Sequence, residues 1–229
     1  MVNTTDENKN IWSLLRQGES FLQLKEYGEA EKIFNDAIEN LLKTQIRTDK
    51  KALAWAYAHR GEARRLNNPT SPDVLDDFSE AIRVSGGTNS KYAWAYAHWG
   101  ETYRLRGGGL VEARKKFDEA IKIEPDYTWA IAHRGASYDF YNKSELQLAL
   151  KDFDTAIKKY PNYVWAIAYR SIVRVMMGDS YKGYYDLLTA IRLDNTIMGR
   201  EVALNVFETQ KLPLVKPSTK NKIINWQDE

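Results

Sequence analysis

Small and aromatic residues alternate with polar ones through 54–61, read Ala-Trp-Ala-Tyr-Ala-His-Arg-Gly, and the same phrase returns at 93–100, 128–135 and 164–171, with a weaker copy at 11–18. After each copy comes a second phrase with fixed internal spacing: a small or β-branched residue, an aromatic or Leu four on, and an Ala three further. These triplets are Ala30/Phe34/Ala37, Val74/Phe78/Ala81, Ala113/Phe117/Ala120, Ala149/Phe153/Ala156 and Gly183/Leu187/Ala190. Steps of four and three keep residues on one face of a helix. A Gly in one helix facing a small-large-small stripe in the next lets two helices pack closely and antiparallel. The pattern predicts five consecutive helical hairpins.

The residues Gly-x2-Tyr at Gly100/Tyr103 and Gly135/Tyr138, then Ala-x3-Phe, then Pro125 or Pro161, resemble the tetratricopeptide repeat over roughly residues 11–195. Four residues before each glycine the chain carries Leu14, Tyr57, Tyr96, Ile131 or Ile167, never the Trp of the repeat motif. The period is stretched as well: Gly18, Gly61, Gly100, Gly135 and the equivalent Ser171 stand 43, 39, 35 and 36 residues apart. Both phrases keep their internal spacing, so the added residues belong in the turns. The resemblance implies an all-α fold, a right-handed α-solenoid of about five such hairpins plus a C-terminal capping helix.

The expected boundaries are a polar N-terminal tail at 1–10, repeat units at about 11–42, 52–86, 91–125, 128–161 and 164–195, a capping helix at 197–211 and a tail at 212–229. Within the units, 11–25 reads as the first helix. Ser71 and Ser144 stand where N-caps are expected, with Pro72 at a first helical position. Met198, Val202, Val206 and Phe207 share one face of the expected capping helix, and the tail holds Ile223, Ile224 and Trp226.

Composition removes whole classes of function. Lys and Arg number 33 against 31 Asp and Glu, a net charge of +2, so no global field favours nucleic acid or an anionic membrane. There is no Cys, hence no disulfide framework and no thiolate metal site. The first ten residues are polar and no apolar run approaches the ~20 residues of a membrane span, so a cytoplasmic protein without a membrane segment is expected. No phosphate loop or nucleophile elbow is present, and no cofactor or enzymatic activity is expected.

Comparing the repeats with one another separates scaffold from surface. The residue before each glycine and the residue before each Phe or Leu pair as Arg60 with Asp77, Arg134 with Asp152 and Arg170 with Asp186, but Trp99 with Lys116 and Gln17 with Ile33. Where the Arg disappears the Asp does too. This predicts a bridge between the helices of a unit, ionic in three copies and cation over ring in the Trp99 copy.

A second series runs along the first helices: Trp12, Trp55, Trp94, Trp129 and Trp165, then Arg16, His59, His98, His133 and Tyr169, then Glu19, Glu62, Glu101, Ala136 and Ile172, and beyond them Arg65, Arg104, Asp139 and Val175. In the proteins that this chain resembles, first helices line a concave groove. The resemblance therefore implies a ligand-binding groove formed by Trp55, Trp94, Trp129, Trp165, His59, His98, His133, Tyr169, Glu62, Glu101, Arg65 and Arg104. The competing reading makes each Trp an architectural spacer between units, and one ring can serve both roles. Three His from successive helices ~8–10 Å apart are too widely set to share a metal.

The function expected is a non-catalytic scaffold binding a peptide or helix of a protein partner in that groove. The alternative is an RNA-binding α-solenoid stacking bases on Trp with Arg65 and Arg104 nearby, against which Glu62 and Glu101 would repel phosphate. Related solenoids that grip the acidic C-terminal tails of chaperones place Lys and Asn on this face; Trp, His and Glu stand here instead, so an acidic chaperone tail is not an expected partner. The last two units offer Ala136, Phe140, Ile172, Val175 and Met176 along the same series, which predicts an apolar stretch covered by the C-terminal segment.

Overall fold

The computed structural model describes residues 4–43, 49–86, 92–107 and 109–194, and among them every regular element is a helix. In chain order these are α1 (Thr4–Gln23), α2 (Tyr27–Lys43), α3 (Lys50–Asn67), α4 (Asp73–Ser85), α5 (Ala93–Arg106), α6 (Leu110–Ile123), α7 (Thr128–Gly135), α8 (Lys143–Lys159), α9 (Val164–Met176) and α10 (Ser180–Leu193). Contacts group them into two compact units, Met1–Asp139 and Phe140–Glu229. The expected capping helix at 197–211 and the tail at 212–229 lie outside the described residues.

In the first unit each helix packs on the next, α1 on α2, α3 on α4 and α5 on α6, and consecutive first helices α1, α3, α5 and α7 also touch. The repeated triplets supply the hairpin contact. A Cβ on Gly18 would stand 2.6 Å from Phe34 Cζ, one on Gly61 3.1 Å from Asp77 Cβ, and one on Gly100 3.0 Å from the Ala113 carbonyl oxygen. Phe34, Phe78 and Phe117 are fully buried against those glycines. The residue without a side chain is thus what sets the approach of the two helices.

In the second unit α8 packs on α9 and α9 on α10. There the glycine changes sides. Ser171 holds the first-helix position and turns its hydroxyl into its own helix, donating to the Ala168 carbonyl at 2.6 Å. The space is made by Gly183 on α10, where a Cβ would fall 2.8 Å from the Ser171 carbonyl oxygen and 2.6 Å from Val175 Cγ2. One bare backbone per hairpin suffices, whichever helix provides it.

Several local expectations are corrected. The first helix starts at Thr4 rather than at 11. The helix of the second unit starts at Lys50, because the Asp49 side chain accepts from the Lys51 and Ala52 amides. Ser71 does not cap α4 with its side chain; its carbonyl instead accepts from the Val74 amide and from the Arg106 guanidinium at the end of α5. At α8 the cap is Asn142, whose Oδ1 accepts from the Ser144 amide and hydroxyl, so Ser144 is a donor to the cap and not the cap itself.

The largest departure is α7, which stops after eight residues, whereas α3 and α5 run six residues past their glycines. Arg114 of α6 donates to the Ser137 carbonyl, the acceptor that the next helical turn would have used. The Ser137 hydroxyl folds back onto the His133 carbonyl, and its amide bonds Arg134 in a tighter i−3 turn. Asp139, Phe140, Tyr141 and Asn142 follow, all weak helix formers. Ala136 and Asp139 are therefore not helical continuations of the ladder.

Candidate functional site

In the first unit the predicted ladder assembles as one connected array. Its tryptophans and histidines alternate: Trp55 to His59, 4.3 Å between centroids; His59 to Trp94, 4.8 Å; Trp94 to His98, 5.7 Å; His98 to Trp129, 4.9 Å; Trp129 to His133, 3.8 Å. Trp12 extends the column, 6.4 Å from Trp55. The arrangement follows from two facts of sequence: Trp and His are four apart on each helix, and helices of successive repeats stand side by side.

Beneath the rings lies a lattice of carboxylates. Glu62 accepts both Nε and Nη2 of Arg65, each at 2.7 Å, and one of its oxygens also accepts from His98 Nδ1 of the next repeat at 2.7 Å. Glu101 repeats this with Arg104, 2.7 Å in both arms, and with His133 Nδ1 at 2.9 Å. In the copy before these, Glu19 accepts from the indole nitrogen of Trp55 at 2.6 Å, with His59 Nε2 3.8 Å away. Each glutamate therefore links its own helix to the following first helix. Because a carboxylate only accepts, Nδ1 of His98 and of His133 carries the hydrogen.

The electrostatics follow from this pairing. Burial alone would raise Glu62, but the charge of His98 and the bonds from Arg65 and His98 bring it down to about 2. Glu101 is likewise pushed up by burial and brought down to about 2, by Arg104 and His133. Burial lowers His59 and His133 from the ordinary imidazole value, against the upward pull of the Trp55 carbonyl and Glu19 on the first and of Glu101 on the second. Arg65 and Arg104 are spent on their glutamates in two-pronged bonds.

The indole nitrogens are not alike. Trp12 Nε1 donates to Asp49 at 3.2 Å and Trp55 Nε1 to Glu19. Trp94 and Trp129 form no such bond among the described residues, and Trp99 holds the single buried indole nitrogen left without a partner there. The Trp94 and Trp129 N–H groups thus reach solvent. All five ladder tryptophans are half-buried.

The second unit carries the ladder differently. Trp165 and Tyr169 stack at 4.2 Å and both pack on Phe153, at 6.4 and 6.0 Å. Of the apolar stretch expected to be covered by the C-terminal segment, Phe140 and Ile172 are buried and Val175 lies against Gly183 of α10; the C-terminal segment itself lies outside the described residues.

Two of the predicted ionic bridges, Arg60–Asp77 and Arg170–Asp186, are present and larger than expected. Arg60 Nε donates to Asp77 at 3.0 Å and its Nη1 to Asn35 of α2 at 2.8 Å, while Arg64 joins Glu31 of α2 to Asp77. In the second unit Arg170 joins Asp186 of α10 to Asp154 of α8, each at 2.8 Å, and Arg174 adds a 2.7 Å bond to Asp186. Each guanidinium spans three helices. Arg134 donates to Asp118 of α6 at 2.7 Å; its expected partner Asp152 belongs to the other unit. Lys116 Nζ stands 3.4 Å over the Trp99 ring, the cation-over-ring pair expected for that copy. The acceptor on the preceding helix also follows a pattern in the sequence: the residue after each Phe is Asn35, Ser79, Asp118 or Asp154, and Ser79 precedes the one copy with Trp99 in place of Arg.

Among the described residues no group of three or more His, Asp or Glu is placed to hold a metal ion, and no helix is long and apolar enough to cross a membrane.

These hairpins define a tetratricopeptide-like, all-helical repeat protein, and comparison with solved structures places the fold there. YrrB, described as a TPR protein with an unusual peptide-binding site, superposes with a TM-score of 0.59 at 19% identity, over 87% of this chain and 91% of that one. MamA gives 0.61 at 13% identity, over 85% and 97%. TTC0263, a thermophilic TPR protein of Thermus thermophilus, gives 0.61 at 14% identity, over 88% and 100%. No protein-family model and no curated protein matches the sequence.

Proposed function

We propose that this chain is a non-catalytic protein-interaction scaffold that takes a peptide or helix of a partner protein along the Trp/His ladder. The observation carrying this reading is that the tryptophan recurs in all five repeats and stays half-buried in every one. A purely internal spacer has no need of an exposed edge, whereas Trp partly offered to solvent is the side chain in which interface energy concentrates. The peptide-binding site of the structurally similar YrrB agrees with such a role. Base stacking is less well served, since Arg65 and Arg104 are committed to glutamates and Trp129 already has His98 and His133 stacked on it. An acidic chaperone tail meets the same obstacle, since Arg65 and Arg104 are already paired with Glu62 and Glu101.

The test is affinity purification from the native host with the full chain and with Trp94→Ala/Trp129→Ala. Partners retained by the wild type and lost by the variant support the reading; a partner set unchanged by the variant overturns it.

A further inference from the structure

Independently of the groove, we infer that residues 197–211 dock on α10 as the first helix of an unfinished sixth hairpin, with Leu204 against Leu188, so that the chain itself and not a partner closes its C-terminal edge.

The exit from α10 sets the direction. α6, α8 and α10 end on Glu124, Tyr160 and Asp194, at φ/ψ of −131/89°, −128/90° and −118/90°, and each of these amides donates to the Ala carbonyl four residues back. Beyond Ile123 and Lys159, short turns at 124–127 and 160–163 lead into α7 and α9, which pack on α6 and α8. Pro125 and Pro161 hold the residue before them extended. Asp194 takes the same conformation with Asn195 in their place. A turn of equal length therefore delivers Met198 to the start of a first helix lying over α10.

The chemistry of the junctions fixes the contact. Asp118 accepts from Arg134 at 2.7 Å and Asp154 from Arg170 at 2.8 Å, each pair 16 residues apart. Asn35, across a longer turn, accepts from Arg60 at 2.8 Å. On α10 this place is held by Leu188, 40% exposed, and at the same spacing of 16 stands Leu204. Where the second helix offers an acceptor the next first helix brings Arg; where it offers Leu the chain brings Leu, and apolar surface is covered by apolar surface.

The other positions suit a helix with a preceding neighbour and no second helix of its own. In this register Val202, Val206 and Phe207 take the places of Ala168, Ile172 and Val173, all buried on α9. Asn205 and Thr209 take those of Ser171 and Val175, which face Gly183 of α10, and Glu201 that of Ile167, which clusters with Ala190 of α10. Three places that address a hairpin's second helix thus turn polar. No Ala follows Ala203, so the small-large-Ala phrase of a second helix does not return. Tethered by one turn, the segment also reaches this edge at an effective concentration on the order of mM, ahead of a second copy of the chain.

The experiment exchanges the junction chemistry in the full chain and reads amide exchange at 202–207. The wild type should show protection there. Leu188→Asp and Leu204→Arg should each speed that exchange by about tenfold. Leu188→Asp/Leu204→Arg, which recreates the Asp154/Arg170 pair, should exchange at least about threefold more slowly than the two single effects multiplied together. Leu188→Asp/Thr209→Arg, with the cation on the other side of the helix, should show no such recovery. Absence of protection at 202–207, or a double variant that matches the product of the singles, overturns the inference. Protection that appears only as protein concentration rises assigns the edge to a second copy and overturns it as well.

Discussion

The two units use one repeat plan with opposite surface chemistry. Up to Asp139, every first-helix position after the glycine that is still helical carries a Glu, and the next repeat answers with a His: Glu19 with His59, Glu62 with His98, Glu101 with His133. Beyond it, the aromatic pair Trp165 and Tyr169 packs on Phe153 with no carboxylate lattice among the described residues, and apolar surface moves to the outer helix. On α10, Tyr181, Tyr184, Tyr185 and Leu188 are exposed at helical spacing. At the position of Tyr185, the earlier second helices carry Lys32, Asp76, Lys115 and Lys151. The same hairpin can be held by ions on its first helix or by rings alone, because the close approach is set by the glycine and the Phe or Leu it faces, and the surface is free to vary around that contact.

What the units share should yield the largest effects. Asp77→Ala in the first unit leaves Arg60 with only Asn35 and Arg64 with only Glu31, and Asp186→Ala in the second leaves Arg170 and Arg174 with only Asp154; each should cost about 3 kcal/mol, read by urea unfolding. A loss confined to one unit would break the parallel. The lattice found only in the first unit comes next. Glu101→Gln should cost about 2 kcal/mol, since a buried acceptor of charged bonds is lost while Arg104 and His133 stay in place. Ile172, in the second unit, has no such partner to lose.

Acid should separate the units further. All three histidines lie in the first unit. His59 and His133 are held below the ordinary 6.5, so the unfolded chain takes up protons that the native one refuses. Stability is then full above pH 6.5 and declines as the pH falls below it. Glu62 and Glu101, lowered from 4.5 to about 2, give a second decline below pH 4.5. Asp77, which burial raises despite its arginines, works the other way and makes that second decline shallower. Urea midpoints across pH should fall in these two stages, and amide exchange should place the first stage in the first unit; a single decline below pH 4.5 would count against the histidine account.

Smaller effects sharpen the comparison. Lys116→Met removes a cation over the Trp99 ring and should cost about 1 kcal/mol in thermal unfolding. Tyr185→Lys, which places at an exposed site the Lys that three of the four earlier repeats carry there, should change stability by less than about 0.5 kcal/mol. A larger loss would mean that another surface covers that face.

The hairpins, their number and the glycine-to-aromatic contact follow from the order of residues alone, because 3.6-residue periodicity and the steric need for a bare backbone are both local properties of the chain. The residues that bridge within a hairpin follow in the same way, since Arg60/Asp77 and Arg170/Asp186 vary together between copies. The pairing of each Glu with the following His was also written in the chain, ending together at Ala136 and Tyr169, but it becomes a contact only when first helices stand side by side. The rest emerged only from packing in three dimensions. Arg114 reaches across from α6 to end α7 at Gly135. Val175 and Ile172 turn inward, and Trp94 and Trp129 keep open N–H groups that Trp12 and Trp55 do not. Each of these depends on what a neighbouring helix places within about 3 Å, the reach of a hydrogen bond, and periodicity along one helix carries no information about that.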